Sequence, residues 1–140
     1  MMANELYQKQ IIELARESRK RTRIEAPDTT IRFDNPLCGD RIDLDFSIED
    51  GRISDIGFKV RGCALCEASA EVLAKNAMGY QLKELNAVGN KLSDYLVGTL
   101  DNPDGEGFEV FKPVKNVPPR YECVLLPFNA IKKLLKTLVA

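Results

Sequence analysis

The chain has 140 residues, of which 44% are hydrophobic and 29% charged, and its 20 Lys and Arg nearly balance its 21 Asp and Glu. This is ordinary globular usage, and we expect one domain over residues 1–140 with a single core. The formal charge of -1 predicts no long-range attraction to nucleic acid or to acidic lipid, so neither is expected as a partner. His is absent, which excludes Ser/His/Asp triads, Cys/His pairs and every metal site that needs imidazole.

The four cysteines are expected to be reduced. The apolar runs are short and broken by charges, and the N-terminal residues lack the basic and apolar segments of a secretory signal. We therefore expect a cytoplasmic protein without a membrane partner, in which cysteines are metal ligands or reactive thiols rather than disulfides.

The N-terminal stretch predicts an amphipathic helix over residues 4–19, capped by Asn4. The basic residues at and after its end are Arg16, Arg19, Lys20, Arg21 and Arg23. They are typical of a solvated helix end, and a basic docking patch is the alternative.

A three-stranded antiparallel sheet is predicted next. The first strand is Thr29 to Phe33, and residues 41–48 alternate strictly between apolar and polar side chains. Asp50-Gly51 is a strong signal for a two-residue hairpin, after which residues 53–61 alternate again. The apolar face of the second strand is formed by Ile42, Leu44, Phe46 and Ile48.

Two cysteine-containing segments flank this hairpin. The segment from Asn35 to Asp40 precedes the second strand and holds a soft ligand, Cys38, beside a hard one, Asp40. Cys63 follows the third strand, and the two ends of a tight hairpin are neighbours. We therefore expect the two segments to contribute ligands to one metal site at this end of the sheet.

Helices are predicted for much of the remaining chain. One begins at Cys63, where the helix dipole lowers a thiol pKa, and ends near Met78-Gly79. Residues 82–97 indicate one or two short helices, and residues 108–119, with three prolines, favour an extended segment after an exposed loop. A last helix should pack on the sheet through Val124, Phe128, Ile131, Leu135 and Leu138.

Cys123 lies near the start of that last helix. Pro127 has no N–H to bond the carbonyl of Cys123, so the helix should kink or restart there and let the Cys123 sulfur turn toward the other ligands. Cys38, Cys63 and Cys123 with Asp40 together favour a metal site, and Cys66 could be an extra donor.

The alternatives are a small domain that a structural zinc ion stabilises and a fold whose cysteines are buried in the core without a functional role. Cys63-Ala64-Leu65-Cys66 alone could also be a redox pair. A carboxylate ligand exchanges more easily than a fourth sulfur, which suits a metal or cluster that must leave.

The order of these residues resembles the NifU/IscU family of iron-sulfur cluster scaffolds. The resemblance covers nearly the whole chain. It rests on Asn35-Pro36-Leu37-Cys38-Gly39-Asp40, on Gly62-Cys63 opening a helix with Ala68-Ser69-Ala70, and on Arg120 and Cys123 before Leu126. Because no His precedes the last Cys and the interval before it is long, the chain is most similar to the SufU-type branch.

The resemblance implies an α+β fold, a SufE/NifU-like sandwich of a three-stranded antiparallel sheet packed against helices. It implies an iron-sulfur cluster assembly protein, a scaffold rather than an enzyme. Such a protein accepts sulfur from a cysteine desulfurase and assembles or hands on a labile 2Fe-2S cluster to apo iron-sulfur proteins or carrier proteins.

Carried over by position, Cys38, Asp40, Cys63 and Cys123 would be the ligands and Cys123 the persulfide acceptor. The alternative is a zinc-bound sulfur carrier, a sulfurtransferase-like persulfide acceptor without stable cluster assembly. A third reading is a structural zinc domain that only binds a partner.

Two positions depart from the family pattern. Glu122 replaces the usual His or basic residue, and a carboxylate there would raise the pKa of Cys123. Cys66 replaces a small hydroxyl residue, and it could be a fifth donor, a spare thiol that takes persulfide, or a half-buried bystander. Only a fragment of the chaperone-binding Leu-Pro-Pro-Val-Lys segment is present, so chaperone-dependent release is not expected.

Overall fold

The computed structural model describes residues 2–37, 39–103 and 105–139. These residues form helices and strands in the order α1 (Met2–Ser18), β1 (Thr29–Asp34), β2 (Arg41–Glu49), β3 (Arg52–Arg61), α2 (Ala64–Ala77), α3 (Leu82–Val97) and α4 (Tyr121–Val139). Two 3₁₀ helices, Phe108–Val114 and Pro118–Arg120, connect α3 to α4. The expected α+β architecture is confirmed.

The sheet is antiparallel throughout, with the strand order β1-β2-β3. Its hairpin turns at Asp50 and Gly51, which both have positive φ values, 53° and 77°, as an Asp-Gly turn of the mirror-image type requires. The predicted apolar face of β2 is confirmed, although Ile48 at its end is only partly buried. A register shift opposite Ser47 and Ile48 lets Ile53 and Ile56 of β3 both enter the core.

Helices α2 and α4 form the layer that covers the sheet. Helix α2 packs on β3, α4 packs on β1 and β2, and the two helices also pack on each other. Helix α1 lies against α2, and α3 lies against α4. The largest fully buried side chains include Phe46, Phe58, Phe108, Phe111, Leu73, Leu92 and Leu126. Among the residues that the structure describes, no helix combines the length and apolar character needed to span a bilayer.

The region after α2 corrects several boundaries. Residues 82–97 form one helix, whose start is fixed by a capping box between Gln81 and Glu84. The extended conformation predicted for residues 108–119 is wrong. Phe108, Phe111 and Val114 are buried at three-residue spacing, which is the period of a 3₁₀ helix, and their burial outweighs the extended preference of the prolines. Asp104 in the preceding loop lies outside the described residues.

The ends of the first and last helices also differ from prediction. Helix α1 begins at Met2, so Asn4 lies in its first turn rather than at its cap. Helix α4 runs without a break through Pro127, so the predicted restart there is wrong. Val124, Phe128 and Ile131 are buried as predicted, but Leu138 is 59% exposed.

The basic residues after α1 belong to a segment that begins with a turn at the end of the helix and that we call the strap, residues 19–24. Arg19 and Arg21 form paired hydrogen bonds with the buried carboxylates of Glu67 and Glu71 on α2. Arg23 binds the fully buried Asp45 of β2, with Nε 2.7 Å from Oδ2. Their partners come from elements distant in sequence, which the interpretation as a solvated helix end did not include, although the Arg19 side chain is still 62% exposed. A basic docking patch stays a prediction.

Candidate metal centre

Four predicted side chains converge at the end of the sheet where β2 begins and β3 ends. Asp40, Cys63, Cys66 and Cys123 each offer one ligand atom, and these atoms all lie within 4.8 Å of one another. They come from the loop before β2, the start of α2 and the first turn of α4. Cys38, the remaining predicted ligand, lies outside the described residues.

The loop before β2 is closed by its own backbone. The Asn35 N–H donates to the Asp40 carbonyl at 2.8 Å, and the Gly39 N–H donates back to the Asn35 carbonyl at 2.9 Å. Gly39 supports this turn with a φ of 73°. The buried Asn35 side chain also accepts the N–H of Leu37, whose own side chain is 83% exposed. These bonds fix Asp40 at the entrance to β2.

Gly62 allows the carboxylate and a thiol to approach each other. A Cβ at this position would lie 3.1 Å from the Asp40 carboxyl carbon and 3.2 Å from Cys66 Sγ. Because no side chain is present, the Cys66 thiol donates a hydrogen bond to Asp40 Oδ2 at 3.1 Å. The sequence analysis used Gly62 only as part of a motif and gave it no role in the site.

Cys63 and Cys66 occupy the first turn of α2. Cys63 is the N-cap residue and is exposed, whereas Cys66 is fully buried one turn later. Their sulfur atoms are 3.7 Å apart, and both are free thiols. Cys66 therefore lies beside the predicted ligands, and it is fully buried rather than half-buried.

The two thiols differ in pKa. The hydrogen bond from Cys66 is the main cause that lowers the pKa of Cys63 to about 5; the N–H groups of Cys66 and Leu65 and the Cys123 thiol contribute, and burial opposes them. The pKa of Cys66 is raised because its proton is held by Cys63, because it is buried and because the Asp40 carboxylate is adjacent. The direction predicted for a thiol pKa at this helix start agrees, but the main cause is the Cys66 thiol, and the N–H groups of the helix are smaller ones.

Cys123 completes the group from α4. It is half-buried, and its Sγ lies 3.8 Å from Asp40 Oδ2. The Ser69 hydroxyl donates to the Val124 carbonyl, which ties α2 to the first turn of α4 beside Cys123. Glu122 is not among the converging donors, and its carboxylate accepts a hydrogen bond from Asn129 Nδ2 at 3.1 Å. An effect of Glu122 on the Cys123 pKa stays a prediction.

The spacing of two of the thiols fits a single tetrahedral ion. Zinc–sulfur bonds of about 2.3 Å place two thiolates of a tetrahedral site about 3.8 Å apart. The 3.7 Å between the Cys63 and Cys66 sulfur atoms matches that spacing. Asp40 Oδ2 lies 3.1 Å from Cys66 Sγ and 3.8 Å from Cys123 Sγ, on either side of the roughly 3.5 Å expected between a sulfur and an oxygen ligand of one zinc ion. Three thiols and a carboxylate could also hold iron, since thiolates suit iron-sulfur chemistry.

This combination defines a small α+β domain with a cysteine-rich candidate metal site at one end of its sheet. Residues 6–104 match the family described as the NifU-like N terminal domain, and the chain belongs to that family. The resemblance noted in the sequence is confirmed.

Three relatives illustrate the family. The chain is 25% identical to "Iron-sulfur cluster assembly scaffold protein IscU" of Thermotoga maritima over 97% of its own length and 96% of that protein. It is 28% identical to "Zinc-dependent sulfurtransferase SufU" of Bacillus subtilis, covering 74% of this chain and 71% of the relative. The crystal structure of the N-terminal part of a nitrogen-fixing NifU-like protein from Brucella abortus superposes with a TM-score of 0.81 at 28% identity, covering 97% of this chain and 96% of that one.

Proposed function

We propose that the protein is an iron-sulfur cluster assembly scaffold that accepts sulfur from a cysteine desulfurase and builds or hands on a labile 2Fe-2S cluster. The observation that carries this proposal is the convergence of Asp40, Cys63, Cys66 and Cys123 within 4.8 Å. The family and the scaffold names of relatives support it. The thiols require a reducing compartment, for which we propose the cytoplasm, with residues 1–140 acting as one scaffold domain.

Sulfur acceptance is assigned to Cys123. Its thiolate attacks the outer sulfur of the desulfurase persulfide, a new sulfur–sulfur bond forms on Cys123, and the desulfurase cysteine leaves as a thiolate. Cys123 is half-buried at the edge of the site, whereas Cys66 is fully buried and inaccessible to an incoming protein. Asp40 beside Cys123 orients this thiol toward the other donors.

The assembled cluster is the cargo of this site. Cys38, Cys63, Cys123 and Asp40 would supply its terminal ligands. Three thiolates match iron-sulfur chemistry, and the Asp40 carboxylate is a harder donor that exchanges more readily than a fourth sulfur. A cluster held in this way can leave for an apo iron-sulfur protein or a carrier protein.

A zinc-bound sulfur carrier is the second candidate, favoured by the distance between the Cys63 and Cys66 sulfur atoms, which fits two thiolates on one tetrahedral ion. The zinc-dependent relative supports it. Asp40, Cys63 and Cys123, with Cys38 or Cys66, would hold the ion, whose positive charge keeps bound thiols deprotonated. Cys123 then remains the acceptor without stable cluster assembly.

The test is metal and acid-labile sulfide analysis on protein purified without oxygen, before and after incubation with a cysteine desulfurase, cysteine and ferrous iron. Stoichiometric iron and sulfide that Cys38→Ser abolishes support the scaffold. Leu37→Ser is the matched control, because it changes an exposed neighbour in the same loop. Tightly held zinc with a persulfide on Cys123 and no cluster supports the carrier, and neither metal nor persulfide contradicts both.

Asp40→Ala separates the candidates further. In a scaffold the variant should hold its cluster longer, because the exchangeable ligand is lost. In a zinc carrier it should lose zinc affinity and sulfur acceptance. A domain in which zinc is only structural should lose stability without any change in sulfur transfer.

A further inference from the structure

Cys66 has no role in the ligand set proposed for the cluster, although it lies inside the site. It is fully buried, donates to Asp40 Oδ2 at 3.1 Å and lies 3.7 Å from Cys63 Sγ. Cys63 is exposed at the start of the same helix. An exposed and a buried thiol separated by one helical turn form the arrangement that thiol–disulfide exchange uses, the first as nucleophile and the second as resolving thiol.

The geometry permits a disulfide between these two residues. A sulfur–sulfur bond is about 2.05 Å long, so the two atoms must approach by roughly 1.7 Å, which side-chain rotation can supply. The burial of Cys66 keeps external thiols away from it, so its reaction partners are the thiols beside it. Cys123 Sγ lies within 4.8 Å of both sulfurs.

We propose that Cys63 and Cys66 are an internal dithiol that reduces the sulfur accepted by the site and releases it as sulfide. This inference rests on the proposed function, in which a persulfide forms on Cys123. A persulfide carries sulfur at the oxidation level of the element, whereas a cluster needs sulfide, so two electrons must be supplied. The dithiol supplies them from within the chain.

The reaction has two steps. The Cys63 thiolate attacks Cys123 Sγ, a Cys63–Cys123 disulfide forms, and the outer sulfur leaves as hydrosulfide. Cys66 then attacks Cys63 Sγ, a Cys63–Cys66 disulfide forms, and Cys123 leaves as a thiolate. The proton of the Cys66 thiol passes to the Asp40 carboxylate, which already accepts its hydrogen bond. Over the two steps the outer sulfur gains two electrons and the Cys63 and Cys66 thiols lose two, so the reaction is balanced.

Each chain can release one sulfide before its Cys63–Cys66 disulfide has to be reduced. The disulfide removes Cys63 from the donor set, and an external dithiol reductant has to restore both thiols for another cycle. Sulfide release and metal binding at Cys63 are therefore successive events. Sulfide is delivered in the site where iron would bind.

The test is a single-turnover assay on the metal-free, fully reduced chain with catalytic desulfurase and limiting cysteine, and without added thiol. The wild type should release roughly one sulfide per chain, since one dithiol is available. Peptide mass spectrometry should then find Cys63 and Cys66 joined. Cys66→Ser should still release sulfide but trap a Cys63–Cys123 disulfide, because the resolving thiol is missing.

Cys63→Ser is the decisive variant. It should keep the persulfide on Cys123 and release no sulfide, while circular dichroism shows that it folds. The inference is overturned if the wild type keeps the persulfide without releasing sulfide, or if Cys63→Ser releases sulfide as fast as the wild type. Absence of persulfide in Cys63→Ser would instead refute sulfur acceptance at Cys123, and both proposals would fail together.

Discussion

Replacing Cys66 with Ala should raise the pKa of the Cys63 thiol in the metal-free protein. That pKa is lowered from 9.0 to about 5, with the hydrogen bond from the Cys66 thiol as the largest cause and the backbone N–H groups of Cys66 and Leu65 as smaller ones. The substitution removes the thiol donor and keeps both backbone donors. The pKa should therefore rise toward its usual range without reaching it.

The reaction rate at neutral pH is a poor measure of this shift. At pH 7 a thiol of pKa about 5 is ~99% thiolate and one of pKa about 9 is ~1%, a gain of about 100-fold. Thiolate nucleophilicity falls with pKa, however, and over about four pKa units the loss is roughly 60-fold. The two effects nearly cancel. At pH 6 the gain in thiolate is ~900-fold, so Cys63 should react about 15-fold faster than an ordinary thiol.

The assay is therefore the pH profile of alkylation by iodoacetamide, with each cysteine followed by peptide mass spectrometry. The wild-type rate at Cys63 should reach half of its maximum near pH 5. Cys66→Ala should move this midpoint upward, and Cys66→Ser should move it less because a hydroxyl can still donate. A wild-type midpoint near the ordinary value of about 8.5 would refute the reasoning. An Ala variant with the wild-type midpoint would refute the assigned cause.

Three substitutions outside the thiols test the supporting structure. Gly62→Ala should lower metal affinity at least several-fold in equilibrium titrations, because its Cβ would press on both Asp40 and Cys66. A variant with wild-type affinity would show that the two side chains move aside without any effect on metal binding. Gly57→Ala should lower the free energy of unfolding in urea by about 1–3 kcal/mol, since its Cβ would lie 2.6 Å from the Thr22 carbonyl oxygen. Ser54→Ala, at an exposed position of the same strand, is its control. Arg23→Met should lower the free energy of unfolding by about 3 kcal/mol near neutral pH, because it leaves the Asp45 carboxylate buried without its cation.

The Arg23→Met effect should also depend on pH. Burial opposes ionisation of Asp45, but hydrogen bonds from Arg23, Thr30 and the Ile24 N–H outweigh it and hold the pKa of Asp45 below its usual value. A carboxyl whose pKa is depressed in the folded state contributes stability that is present above its unfolded pKa of about 3.9 and lost as pH falls. Urea unfolding curves of wild type and variant should therefore draw together as the pH falls below about 4 and meet only below the depressed pKa of Asp45 in the folded protein. A difference that persists unchanged in acid would point to lost packing of the Arg23 side chain instead.

The sheet could be predicted from sequence because its signals are local. Alternation along β2 places Ile42, Leu44 and Phe46 on one face, and Asp50-Gly51 selects one hairpin geometry. Once that hairpin exists, Asp40 and the start of α2 must meet at its open end. The convergence of Asp40 with Cys63 therefore followed from topology, before any distance was known.

The features that could not be predicted depend on contacts between distant segments. The strap pairs Arg21 with Glu71 and Arg23 with Asp45, and nothing in an isolated run of basic residues indicates which carboxylates are buried elsewhere. The 3₁₀ helix from Phe108 to Val114 could not be predicted for the same reason. Its apolar side chains share one face only in the 3₁₀ conformation, and their burial in the core stabilises that conformation. In both cases tertiary packing decided what local propensity left open.

Asp40 shows why the position of Cys66 changes the chemistry expected of the site. Its Oδ2 atom lies 3.1 Å from Cys66 Sγ and 3.8 Å from Cys123 Sγ, so one carboxylate oxygen serves two thiols. A metal that takes the lone pair to which the Cys66 thiol donates would displace that hydrogen bond, so a protonated Cys66 would compete with metal binding at this position of the carboxylate. In the proposed reaction, oxidation of Cys66 to a disulfide removes that competitor but also removes Cys63 from the proposed ligand set. Under the two proposals, sulfide release, reduction of the disulfide and metal binding therefore follow one another at this one end of the sheet.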